Sequence, residues 1–225
     1  VEFAQYNDVL LFRDNSAGYG YAFPAGEDED VKAAIEDIMK WEKEKGVPFC
    51  LYGVTKENFA KLETWFPGKF DITYHRDEAD YVYESEKLAT LSGKKLHAKR
   101  NHINQFMAQY GKSFEYVKIT PDMMDECVAV YNEWLSEKSP DDTDSMELCA
   151  IKVLLKHMDT LGIRGGGIRI DGRLLAFTLG QKIDDNMAVV HIEKADNEIM
   201  GLYTVINNQF VKNDLKDVRY INREE

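Results

Sequence analysis

Six cations, Lys87, Lys94, Lys95, Lys99, Arg100 and Lys112, stand within residues 87–112, a stretch without a single Asp or Glu. The chain as a whole carries 28 Lys and Arg against 40 Asp and Glu, a formal net charge of −12. That balance excludes nucleic-acid binding by overall basicity, but it leaves a local anion site open on an acidic body. At 100° per residue, Leu96, Ile103, Met107 and Tyr110 fall on one helical arc about 60° wide. Lys99 and Arg100 border that arc, while Lys94 and Asn101 point the other way. Cations beside a packing face either run their stems out to solvent or meet anionic partners in a cleft. The bordering position favours the cleft, with a ligand phosphate or carboxylate as partner.

Other chemistry is thinly supported. Arg164-Gly165-Gly166-Gly167 has the composition of an anion-binding nest of amides, or of a flexible strand start, but lacks the spacing and Lys of a nucleotide phosphate loop. His75, His97, His102, His157 and His191 show no paired ligand spacing, so no metal is expected, and no cofactor is called for. There is no Gly-x-Ser-x-Gly to suggest a serine hydrolase. Cys50, Cys127 and Cys149 are odd in number and far apart, which suits a reducing cytoplasm. No run approaches the apolar length of a membrane span, and Glu2, Gln5 and Asp8 argue against a signal peptide.

The elements that must position these residues alternate between strands and helices. Short strands are expected at 9–12 and 19–23 around a turn at 14–18, then a helix at 27–45 stopped by Gly46. A strand at 49–54, a helix capped by Thr55, a strand at 80–84 and a helix at 96–110 complete the first half. The second half reads strand 114–119, helix 120–137, an Asp-rich loop at 139–144 and helix 145–161. Strands at 168–170, 173–181 and 187–193, helix 199–212 and strand 218–221 follow. Asp171-Gly172 between two apolar runs is the strongest hairpin signal. Two helices, three antiparallel strands, a helix and a final strand is the element order of the GNAT acyltransferase fold, and the first half reads as a degraded version of the same plan. The expectation is an α+β chain of two tandem GNAT-like modules, 1–112 and 113–225, each a mostly antiparallel sheet flanked by helices.

In such a fold the junction after the third of these strands matters. A coenzyme-A-dependent GNAT enzyme presents glycine-lined free amides to a pyrophosphate there. Residues 193–201 read Glu-Lys-Ala-Asp-Asn-Glu-Ile-Met-Gly, with one late glycine and with Asp196, the expected helix cap, and Glu198 facing a diphosphate. Ordinary coenzyme A binding at this junction is disfavoured.

Tyr81-Val82-Tyr83-Glu84, Leu88, residues 91–97 and Lys99-Arg100-Asn101-His102-Ile103-Asn104-Gln105-Phe106 together resemble the phosphatidylglycerol lysyltransferase C-terminal-like family. Asn207, Asn208 and the terminal residues 221–225 also fit, so the resemblance spans the chain. It implies two GNAT-like domains with a cleft between them, and aminoacyl or acyl transfer to an amine or hydroxyl; the alternatives are a ligand-binding protein on a GNAT scaffold that has lost catalysis and an acyl-coenzyme-A-dependent N-acyltransferase. The donor implied is aminoacyl-tRNA or another anionic acyl carrier, and the acceptor a small molecule or lipid head group. The family pattern extends beyond both ends, so the chain is expected to be cut at each. The residues expected to carry the reaction are Glu193 or Glu224 as base, with Arg223, Lys99 or Arg100 on the oxyanion. Tyr203 or Tyr83 is expected at the leaving oxygen, and Glu84, Lys94, Lys95 and Asn101 complete the binding set.

Overall fold

The computed structural model describes residues 2–14, 20–76, 79–136 and 143–224, and the side chains of 143–145 are outside that description. The chain forms two compact units that divide between Tyr74 and His75.

In the first unit, strands β1 (Glu2–Tyr6), β2 (Val9–Asp14), β3 (Gly20–Ala22) and β4 (Leu51–Tyr52) form a sheet in the order β1-β2-β3-β4. Helix α1 (Asp28–Lys45) starts on Asp28, Glu29 and Asp30, which suits the helix dipole, and stops at Gly46 with φ of 71°. Its buried stripe of Val31, Ala34, Ile35 and Ile38 covers the sheet. Helix α2 (Lys56–Trp65) is capped as its sequence predicts, with Thr55 Oγ1 accepting from the Asn58 amide at 3.2 Å. Strand β1 is exposed along its whole length and shows no alternation, which is why its residues give no strand signal. The turn expected at 14–18 falls mostly outside the described residues.

The second unit contains β5 (Tyr81–Glu84), α3 (Ser85–Thr90), a 3-10 turn at Lys94–Leu96 and α4 (His97–Tyr110). The GNAT element order then follows. It runs through β6 (Phe114–Lys118), α5 (Met124–Ser136), α6 (Thr143–Lys156), α7 (Met158–Leu161), β7 (Ile163–Ile170), β8 (Arg173–Lys182), β9 (Met187–Ala195), α8 (Leu202–Asp214) and β10 (Tyr220–Arg223). The six strands lie in the order β5-β10-β9-β8-β7-β6, antiparallel except for the β9–β10 pair. Two mixed sheets therefore meet the tandem expectation in part, and the complete GNAT order belongs to the second unit.

The compact units divide at 74/75, whereas the sequence reading sets a module boundary at 112/113. The cause is long-range pairing. Strand β5 adds to β10 with Tyr83 opposite Ile221, and Asn208 on α8 donates to the carbonyls of Leu88 and Ala89 on α3 at 2.7 and 2.8 Å.

Local readings are decided or changed as well. Of strand and anion nest, Gly165, Gly166 and Gly167 form the strand, as the buried middle of β7. A Cβ at Gly166 would lie 2.2 Å from Tyr116 Oη, and one at Gly165 2.7 Å from Ile119 Cβ, so close packing selects glycine. On α4 it is Phe106, 1% exposed, that anchors the packing, while Met107 is 43% exposed. The α8 N-cap is Gly201, and Asp196 closes a local turn by accepting from the Glu198 amide at 2.8 Å. The hairpin at Asp171-Gly172 forms as predicted, with φ of 51° and 84° at the two turn residues. Cys50 and Cys149 are exposed free thiols, and Cys127 is buried. Among the described residues no helix is long and apolar enough to cross a membrane, and no group of three or more His, Cys, Asp or Glu is placed to hold a metal ion.

Candidate functional site

Strands β9 and β10 run parallel from Met187/Tyr220 to Val190/Arg223, and there their pairing ends. At the same level the β8–β9 ladder shifts: Gly180 pairs with Val190 and Leu179 with Ile192, leaving His191 as the extra residue of a β-bulge. A bulge bends its strand and adds twist. It also moves the following side chains to the other face. Val190 and Glu193 are three residues apart, and unbroken alternation would place them on opposite faces. With the bulge, Val190 pairs with Gly180 and Glu193 with Thr178, so both face α8.

The parting of β9 from β10 opens a cavity of about 310 Å³, lined by Glu147, Val190, His191, Glu193, Lys194, Tyr203, Arg223 and Glu224. Among the described residues no strand covers this flank of β9 beyond Val190, so side chains from both faces of the sheet reach one space. Glu193 comes from the α8 side. Lys194 comes from the α5–α6 side, where its Nζ lies 3.7 Å from the Trp134 ring centroid and 2.7 Å from Glu147 Oε1.

The contacts fall into charge pairs. Arg223 Nη2 donates to Glu193 Oε1 at 2.9 Å, and Asn207 Nδ2 on α8 donates to Glu193 Oε2 at 3.0 Å. His191 Nδ1 meets Glu224 Oε2 at 2.9 Å, and its Nε2 meets Gln181 Oε1 at 3.3 Å. The Glu193 side chain is only 7% exposed. Burial pushes its carboxyl above the usual carboxylate range, and Arg223, the Asn207 hydrogen bond and the Lys99 charge pull against that rise. Arg223 Nε is buried and has no hydrogen-bond partner. A buried donor without an acceptor is costly, and the Arg223 side chain that carries it lines the cavity.

Of the residues singled out by sequence, Glu193, Arg223, Glu224 and Tyr203 line this one cavity. Lys99, exposed on α4, is near enough for its charge to act on Glu193. Lys94 and Lys95 are exposed on the 3-10 turn and do not line the cavity. Arg100 is engaged elsewhere: its Nη1 donates to the carbonyls of Leu91 and Gly93, tying the loop after α3 to α4. Tyr83 packs on the Leu88–Phe210 cluster, Glu84 pairs with Lys87 at 2.7 Å, and Asn101 Nδ2 lies 3.4 Å from His97 Nδ1. Glu147, His191, Lys194 and Asn207 were not singled out as site residues. The Glu193–Gly201 junction pointed to the right end of β9, but strand pairing sets His191 and Lys194 there, and the packing of α6 and α8 brings Glu147 and Asn207 to it.

Comparison with known proteins agrees with this architecture. A conserved protein of unknown function from Bacteroides thetaiotaomicron VPI-5482 is 36% identical, with a TM-score of 0.87 over 99% of this chain and 76% of that one. The C-terminal domain (DUF2156) of a protein assigned as a lysylphosphatidylglycerol synthetase from Agrobacterium fabrum shares the fold at 12% identity, with a TM-score of 0.61 over 98% of this chain and 69% of that one. An uncharacterized protein of Mycoplasmoides gallisepticum is 25% identical over 141 residues, 62% of this chain, and the match spans less than half, 45%, of that protein. Residues 1–224 match the model of the family described as phosphatidylglycerol lysyltransferase, C-terminal, and the chain belongs to that family.

Proposed function

We propose that the chain transfers an acyl or aminoacyl group, carried as an ester on an anionic donor such as aminoacyl-tRNA, to an amine or hydroxyl acceptor in the β9–β10 cavity. The observation that carries this reading is the Glu193–Arg223 pair, in which a buried carboxylate adjoins a buried guanidinium N–H with no partner. Acyl transfer needs a base for the nucleophile and a donor for the oxyanion. Glu193, its proton affinity raised by burial, is the base. Arg223 Nε is the donor to the carbonyl oxygen as it gains charge. Tyr203, on the cavity wall, serves the leaving oxygen, and Glu224 lines the same space. Family membership supports the reaction class.

The donor's phosphates dock on the exposed Lys94, Lys95 and Lys99, in a stretch with no carboxylate to repel them. Coenzyme A is the poorer donor. Asp196 and Glu198 stand at the junction its diphosphate would use, and the one glycine there, Gly201, has its open side closed by the His102 carbonyl. Titration of charged tRNA and of coenzyme A at two salt concentrations tests this. Salt-sensitive tRNA binding, lost on substitution of Lys94, Lys95 and Lys99 by Ala, supports the reading. Saturable micromolar coenzyme A binding at the junction overturns the choice of donor.

A further inference from the structure

We infer that the acceptor is a primary amine, bound as its ammonium, and that the product is an amide. The inference rests on the transfer reading above and names the substrate class of the same cavity.

Three carboxylates, Glu147, Glu193 and Glu224, line the cavity with two permanent cations, Lys194 and Arg223, while Lys99 adds its charge from outside the lining. Both cations are already engaged, Lys194 with Glu147 and Arg223 with Glu193. Glu147 and Glu224 each use one oxygen in these pairs, the first with Lys194 and the second with His191. Their second oxygens are left to a newcomer. An ammonium offers three donors and a positive charge, which match this surplus of acceptors. A neutral hydroxyl offers one donor and no charge. A phosphate-bearing lipid head group would bring a further negative charge among three carboxylates, of which Glu193 is buried and therefore least screened.

The chemistry closes on the same residues. The Glu193 carboxylate takes one proton from the ammonium and frees the nitrogen lone pair. The nitrogen attacks the ester carbonyl carbon, a C–N bond forms, and Arg223 Nε donates to the oxyanion. The C–O bond to the donor then breaks. The nitrogen's second proton leaves with it, so that one proton ends on the donor's alkoxide and one on Glu193, from which it returns to water. One N–H remains on the amide.

Two readouts test the inference. In the first, the protein is incubated with a tRNA pool charged with labelled amino acids and with n-butylamine, n-butanol or phosphatidylglycerol vesicles. Products are then separated by their stability to mild alkali. An alkali-stable amide from butylamine, at least tenfold above any ester, is the expected result, with its loss in Glu193→Gln. An alkali-labile ester of butanol or of the lipid as the main product overturns the amine acceptor and leaves the transfer reading standing. In the second, binding of butylamine and butanol is measured by calorimetry without any donor. Butylamine is expected to bind at least tenfold more tightly, with the advantage lost in Glu147→Gln and Glu224→Gln. Equal binding, or an advantage unchanged in both variants, overturns the inference. Preferential amine binding without a product from any acceptor keeps the amine site and overturns the transfer reading.

Discussion

Glu193 is held between opposing influences: burial favours its protonated form, while Arg223, Asn207 and Lys99 favour the carboxylate. As base it must be ionised, so the transfer rate should fall as pH drops through a value above the ordinary glutamate range. Removing a cation removes support for the carboxylate. Lys99→Ala should therefore move this acidic limb to higher pH, and Arg223→Ala should move it further while lowering the rate about 10²-fold through the lost oxyanion donor. A pH–rate profile of the three proteins checks both the direction and the order. The thiols give a separate test. Burial pushes the Cys127 thiol up to about 12 and leaves it inaccessible, so iodoacetamide should label Cys50 and Cys149 in the native protein and reach Cys127 only on unfolding. At this scale sequence found four of the eight residues lining the cavity. Glu193, Arg223, Glu224 and Tyr203 followed from the junction and the family resemblance. His191, Lys194 and Glu147 reach the cavity through strand pairing and helix packing, which spacing along the chain does not encode.

Among the elements, β7 and β9 carry the specific constraints. Substituting Gly166 by Ala places a methyl group against the Tyr116 and Phe210 rings and should cost about 3 kcal/mol, read as a shift in denaturant midpoint. Part of that loss should be recovered in a Tyr116→Ala background, where one obstruction is gone. Deleting His191 tests the bulge. Gly180–Val190 and Leu179–Ile192 pairing would then become continuous, and β10 should follow β9 further. The expected protein is folded, with unchanged circular dichroism, and binds no pocket ligand. The hairpin at Asp171-Gly172 and the run from β7 to α8 were legible because turn chemistry and periodicity are local. The rest was hidden for definite reasons. Strand β1 has no buried face to show in its sequence, α3 is only six residues long, and the glycines of β7 imitate a loop until Ile119, Tyr116 and Leu179 are set beside them.

For the whole molecule, the division at 74/75 separates two hydrophobic cores. The first is built on Val9, Val31, Ile35, Leu62 and Phe66, and the second unit holds three clusters of its own. A fragment beginning at His75 should therefore unfold cooperatively in denaturant, whereas one beginning at Ser113 should not, because it lacks β5, which pairs with β10, and Phe106 of α4. In the proposed reading tRNA binding should weaken with salt through counterion release at the lysine–phosphate contacts, with the slope reduced by about one for each contact removed with a lysine, while the net charge of −12 repels the polyanion most at low salt. Gly201 adds a mechanical consequence. Its φ of 87°, and the 2.6 Å separating an added Cβ from the His102 carbonyl, leave no slack between the backbone of α4 and the first turn of α8. Helix α4 carries Lys99, and α8 carries Tyr203 and Asn207. Under the proposed function this close contact would link a donor docked at Lys99 to an acceptor beside Tyr203. Whatever factor the docked donor adds to acceptor affinity, the acceptor must then return to the donor, and a Gly201→Ala change, by forcing the two helices apart, should lower both affinities by the same factor.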